Sequence, residues 1–263
     1  MFKREMKLNF KSFIIWLSVL MGLFLVVFLI YPSIINSENI NLIYEMLAMF
    51  PEEILKAFNM DISLIDSAYG WLKSEGFVFI LLIIGCYASI LGSNILLKEE
   101  NDKTIEYLNS LPVKRNSIIL SKVLSGLTYI NLMVVLIAIF NFIGLSFSCE
   151  FDKIQYILLS ITPIFSATVL FFASMLLSTF MHKTKKVFGL NLGIVLVSYV
   201  LQILSTLSNT TEFLKYFSVF TLSDIRNVIV NVSINPIMVL ISVFLSIVFF
   251  SIIIIRYNKK ELV

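Results

Sequence analysis

The chain has 263 residues, of which 59% are hydrophobic and 14% charged, and its mean hydropathy is +0.95. Soluble domains carry about 25% charge, and a soluble fold of this composition would leave too much apolar surface in water, so that class is excluded. The formal charge of +3 is small; its distribution along the chain carries the information.

The opening stretch, MFKREMKLNFKSF, has helical spacing. At 100° per residue Phe2, Met6, Phe10 and Phe13 share one face, and Lys3, Arg4, Lys7 and Lys11 the adjacent one. This pattern predicts an N-terminal amphipathic elbow helix on the surface of the bilayer, its basic side near anionic headgroups. A first apolar run covers 12–31. Its basic start imitates a signal peptide, but the run is too long and YPSIINSEN offers no small-x-small cleavage site, so we read a retained span.

The segment 33–76 follows. ENINLIYEMLAMF and PEEILKAFNM both have helical spacing, with Pro51 suited to a first turn and Glu52 and Glu53 to its positive end. We expect an external helical segment between spans one and two, resting Ile54, Leu55 and Phe58 on the membrane interface.

Five further apolar runs complete the pattern: 77–97, 123–147, 155–181, 187–206 and 236–255. Each is about long enough to cross a bilayer, and none contains Asp, Glu, Lys, Arg or His. Gly85 and Ser89 fall one turn apart on the second run, and Gly189 and Gly193 form a GxxxG on the fifth. Both pairs permit close helix approach, within the chain or to a second copy. Pro163 predicts a kink near the start of the fourth run. Cys86, Cys149 and His182 form neither a CxxC nor a Cys/His zinc spacing, so no metal site is expected.

Six spans put both termini on one side with the loops 98–122 and 182–186. That side holds 15 of the 20 Lys+Arg and six of the 17 acids, a net +9 against −6 opposite. The positive-inside rule makes it cytoplasmic and predicts a multi-pass protein of the cell membrane. The fold class is therefore all-α, a polytopic membrane protein with six transmembrane helices in a single domain, 1–263.

The spans lack the ionisable groups of carriers and proton pumps, and of intramembrane proteases. No G-x-x-x-x-G-K-[ST] motif occurs. We expect no catalytic residue and no directly bound cofactor, and hence no intrinsic enzyme. No feature points to nucleic acid.

Eight of the 18 residues in KEENDKTIEYLNSLPVKR, 98–115, are charged. Asp102 can cap a helix, Ile105, Leu108 and Leu111 make one apolar stripe, and Pro112 ends it. Asn116 or Ser117 can then cap the helix that becomes the third span. A short capped helix with an apolar stripe must lie on lipid or on the floor of the bundle, or dock on a partner; the spacing leaves these open.

This stretch resembles the cytoplasmic loop of ABC-2 type exporter permeases, E-x-x-x-K/G-T-x-E-x-L-x-S-x-P-V-x-R, on Glu100, Lys103, Thr104, Glu106, Leu108, Ser110, Pro112, Val113 and Arg115, with one residue fewer between Glu100 and Lys103 than the pattern has (Glu99 stands at the pattern's own distance) and with Lys103 where many members have Gly. FKREMKLNFKSFIIW, FPEEILKAFNMD and the six-span layout are similar to the same family. The resemblance implies that 102–111 is a coupling helix docking on a separate ABC ATP-binding subunit, where ATP and Mg would reside. Glu99, Glu100, Glu106 and Arg115 would make its polar contacts, and Ile105, Leu108 and Leu111 its apolar ones. It also implies pairing with a second permease copy or a homologous permease, and export of a substrate. Apolar spans suit a lipophilic drug or a peptide antibiotic. Two alternatives are a non-transporting anchor or sensor subunit that docks a cytoplasmic complex, and an ion-coupled carrier.

Overall fold

The computed structural model describes residues 1–34, 44–47, 49–51, 55, 67–102, 104, 114–181 and 184–259. Regular structure among them is entirely helical, and six helices are long and apolar enough to cross a membrane. This is the expected six-span architecture.

Helix α1 runs unbroken over Phe2–Ile34. The elbow expected as a separate element is the first part of this helix, because no Gly or Pro interrupts the segment before Gly22. At 1.5 Å per residue α1 is about 50 Å long, so roughly a dozen residues stand outside a hydrocarbon core about 30 Å thick. Its inward stripe is Glu5, Asn9, Phe13, Leu17, Leu20 and Phe24, all buried. The face predicted for Phe2, Met6, Phe10 and Phe13 is divided: Phe13 and Met6 pack inward, while Phe2 and Phe10 are exposed.

The second span starts earlier than the apolar run suggests. A helical turn at Ala68–Trp71 and a π-helical turn at Leu72–Gly76 lead directly into α2, Phe77–Asn101. Ser67 caps the first turn by accepting from Gly70 N–H at 3.0 Å. The charges in this stretch have local partners: Trp71 Nε1 donates to Glu75 at 2.9 Å, and Lys73 Nζ lies 4.7 Å from the centre of the Tyr69 ring. Of the expected external segment, residues 44–47 are helical, and most of the remainder lies outside the described residues.

Helix α3 is Arg115–Ser148, with Lys114 in the N-cap position and no side-chain cap, so neither Asn116 nor Ser117 holds that place. The fourth span breaks where Pro163 predicts, into α4, Lys153–Ile161, and α5, Pro163–Thr179. Pro163 lacks an N–H to continue the α4 ladder, and Thr162 at the break donates its hydroxyl to Leu159 O at 2.8 Å. Helix α6 is Thr184–Leu207; two 3₁₀ segments, Asn209–Phe217 and Val219–Ser223, and the short α7, Ile225–Asn231, lead to α8, Pro236–Lys259.

Helices α2 and α5 form the centre. Their spans are 67% and 61% buried within the chain, against 22% for α1, 22% for α6 and 17% for α8. They pack on each other more extensively than any other pair; α8 lies on α5, α6 on α2, and α1 on α3. The α2–α5 approach is closest at Gly92, where a Cβ would stand 2.3 Å from Phe171 O. Gly85 faces Leu170 and Phe220, and the Ser89 and Ser174 hydroxyls are 2.6 Å apart. Gly189 and Gly193 have nothing within 4 Å of their Cβ positions, so among the described residues their GxxxG makes no internal packing contact.

Candidate functional site

The start of α1, the end of α2, the start of α3 and the end of α8 meet at the end of the bundle that carries Met1 and Lys259. Here Lys122 on α3, 1% exposed, donates to the Glu99 carboxylate on α2 at 2.7 Å and to Glu5 on α1 at 3.3 Å. Its third hydrogen bond goes to Ile95 O, also at 2.7 Å. The ammonium thus uses all three donors inside the protein. Glu5 and Glu99 are 3% and 2% exposed. Two carboxylates share one ammonium, and the second Glu99 oxygen, Oε2, has no hydrogen-bond partner among the described residues.

The surroundings hold this cluster in place. Asn9 on the next turn of α1 donates to Glu5 O at 3.0 Å. Tyr129, two turns further along α3, donates its hydroxyl to Met6 O and packs against Phe13 with tilted rings, the centroids 4.9 Å apart. Lys98 Nζ reaches Leu8 O at 3.4 Å. On the α8 side, Arg115 donates to Asn258 O at 3.3 Å, Asn258 donates to Asn116 Oδ1 at 2.8 Å, and the Arg256 guanidinium stands 4.4 Å from the centre of the Phe180 ring. The bonds draw α1 and α8 onto the two helix ends that flank residues 102–114.

The sequence-predicted residues divide across this region. Glu99 is in the cluster, facing inward to Lys122. Glu100 is half-buried and Arg115 is the first residue of α3. Asp102 is exposed and follows α2 as its C-cap, its N–H bonded to Lys98 O at 2.9 Å, so here it closes a helix; Thr104 is exposed. Ile105, Glu106, Leu108, Leu111 and Pro112 lie outside the described residues, and with them the expected coupling helix. Lys3, Lys7 and Lys11 form an exposed row at i, i+4 and i+8 on α1, opposite the buried Glu5 and Asn9, and Arg4 is half-buried beside it.

Sequence reading passed over Lys122 and Glu5. Lys122 stands one residue before the third apolar run, where it reads as an ordinary topology charge. Glu5 is the only acid before Glu38 and sits among four cations. Its four-residue spacing to Asn9 and Phe13 was the available signal that it points inward.

Six hydrophobic helices with an ion cluster buried where four of them converge define a multi-pass helical membrane protein rather than a soluble bundle. The model of the family described as ABC-2 family transporter protein matches residues 1–262, and the chain belongs to that family. It is thus an ABC-2 type permease, a membrane component of transport. Neither the curated proteins nor the solved structures contain a match to it.

Proposed function

We propose that this chain is the transmembrane subunit of an ATP-driven exporter, working with a separate ATP-binding subunit and a second permease, identical or homologous. Family membership over residues 1–262 carries this reading. The end bearing the termini is cytoplasmic, in keeping with its net +9, and the row Lys3, Lys7 and Lys11 lies against anionic headgroups of that leaflet. Residues 102–111 dock on the ATPase, which holds ATP and Mg. Glu100, Asp102, Glu106 and Arg115 are its polar contacts, and Ile105, Leu108 and Leu111 pack into its groove. Glu99, turned inward to Lys122, acts by fixing the base of this loop. Closure of the ATPases moves the loop as a rigid body and switches access for a lipophilic or amphipathic substrate.

The test is co-purification in mild detergent followed by transport into inverted vesicles. A stoichiometric P-loop ATPase should accompany the chain. The double variant Glu106→Ala/Leu108→Ala should insert normally and keep ATP hydrolysis while losing transport. Absence of an ATPase partner, or unchanged transport by the double variant, overturns the reading.

A further inference from the structure

At the opposite end of the bundle from the ion cluster, a small cavity of about 10 Å³ lies between the start of α2, the second half of α3 and α4. Phe77, Ile80, Val134 and Ile137 form its apolar wall, and Asn141, Tyr156 and Ser160 its polar one. Asn141 is 1% exposed and Ser160 9%. Among the described residues, Asn141 Oδ1 and Ser160 Oγ have no hydrogen-bond partner. Tyr156 donates its hydroxyl to Ala138 O at 2.6 Å, and its oxygen has lone-pair capacity to accept.

Two buried polar atoms left unpaired inside hydrocarbon each cost on the order of 1–3 kcal/mol. A cavity holds a water when it offers about one probe sphere of volume, roughly 10–15 Å³, and two to four polar partners. This one has the volume and three partners. We propose that it is an internal hydration site for a single ordered water, which donates to Asn141 Oδ1 and to the Tyr156 phenolic oxygen and accepts from the Ser160 hydroxyl. A larger ligand does not fit. The site lies just before the Ile161–Thr162–Pro163 break, where the backbone ladder of the fourth span is interrupted. The water ties α3 to α4 there by hydrogen bonds that the two side chains cannot make directly.

The test is X-ray radiolytic footprinting of the unmodified full-length chain in nanodiscs, in water enriched in ¹⁸O. Hydroxyl radicals formed from a bound water attack the side chains it touches, even where bulk solvent has no access. Tyr156 and Phe77, 2% and 1% exposed, should gain ¹⁸O-labelled oxygen, while Phe171, 0% exposed and remote from the cavity, should not. Asn141→Leu, which removes an acceptor and fills space, should abolish labelling at both positions. Absence of label at Tyr156 and Phe77 in the unmodified chain overturns the proposal, as does label that persists in a folded Asn141→Leu variant. Should that variant not fold, the labelling pattern of the unmodified chain decides alone.

Discussion

Replacing Lys122 by Met should be the most destabilising single change at the ion cluster, and the reason is a charge count. Glu5, Glu99 and Lys122 have side chains 4%, 3% and 1% exposed. Removing the ammonium leaves two carboxylates facing each other without a counter-charge and orphans Ile95 O. Removing one partner of a buried ion pair typically costs about 3–5 kcal/mol, because the remaining charge stays desolvated. Glu5→Gln has a different outcome: it leaves Lys122 and Glu99 as a balanced pair at 2.7 Å and gives up only the 3.3 Å contact. Its loss should be about 1 kcal/mol, that of an ordinary hydrogen bond. Glu99→Gln gives up the shorter contact and should fall between the two. The triple variant Glu5→Gln/Glu99→Gln/Lys122→Met removes every charge and should recover most of what Lys122→Met loses, since buried ion groups replaced together by neutral ones are often tolerated. Thermal unfolding of the detergent-solubilised full-length chain reads all four. If Lys122→Met is as stable as Glu5→Gln, or if the triple variant is no better than Lys122→Met, the charge-count argument is wrong.

At Gly92 an added Cβ meets the Phe171 carbonyl at 2.3 Å, so Gly92→Ala must part α2 from α5 and should lose about 1–3 kcal/mol. Gly189→Ala meets nothing within 4 Å and should gain up to about 1 kcal/mol of helix propensity in the isolated chain; equal unfolding temperatures for the two variants would refute the packing assignment. Burial raises the Cys149 thiol above its ordinary pKa, with a hydrogen bond at Tyr69 opposing it in part, so its thiolate fraction at neutral pH is depressed. A charged maleimide should therefore label Cys149 slowly at neutral pH and faster as pH rises beyond the usual thiol range, and only from the membrane face opposite the termini. A labelling rate that levels off below that range, or label acquired from the terminal face, would count against it.

The number and order of the spans were legible because hydrocarbon imposes a coarse rule: about 20 apolar residues without a charge. The same rule hid the ends. The second span was expected to begin at Phe77, yet it starts at Ala68, because Trp71 satisfies Glu75 and the Tyr69 ring receives Lys73. Charge counting therefore stopped too early there. The break at Pro163 was legible, being a local covalent fact. Gly85 and Ser89 were found by spacing, but Gly92 was not: its importance comes from a carbonyl on another helix, and spacing within one helix cannot show that. The ion cluster was hidden for the same reason. Glu5, Glu99 and Lys122 are separated by 117 and 23 positions in their pairings, and each looks like an ordinary flanking charge until the helices are assembled.

The cluster also constrains how this end of the molecule can move. Lys122 takes one carboxylate from α1, one from α2 and a carbonyl from α2, so all three helix ends are tied through a single ammonium. Separating the end of α2 from the start of α3 breaks the 2.7 Å contacts to Glu99 and Ile95. It must then either strand charges in a low-dielectric interior or admit water to residues that are now 1–3% exposed. Sliding α1 alone breaks the 3.3 Å contact to Glu5 and the bonds of Tyr129 and Lys98 to the α1 backbone at Met6 and Leu8, but leaves both 2.7 Å contacts between α2 and α3 intact. The ends of α2 and α3 should therefore move as one piece and α1 should follow more loosely. A displacement applied to the loop between α2 and α3 then reaches the central helix of the bundle directly, because α2 is the helix that packs most extensively on α5.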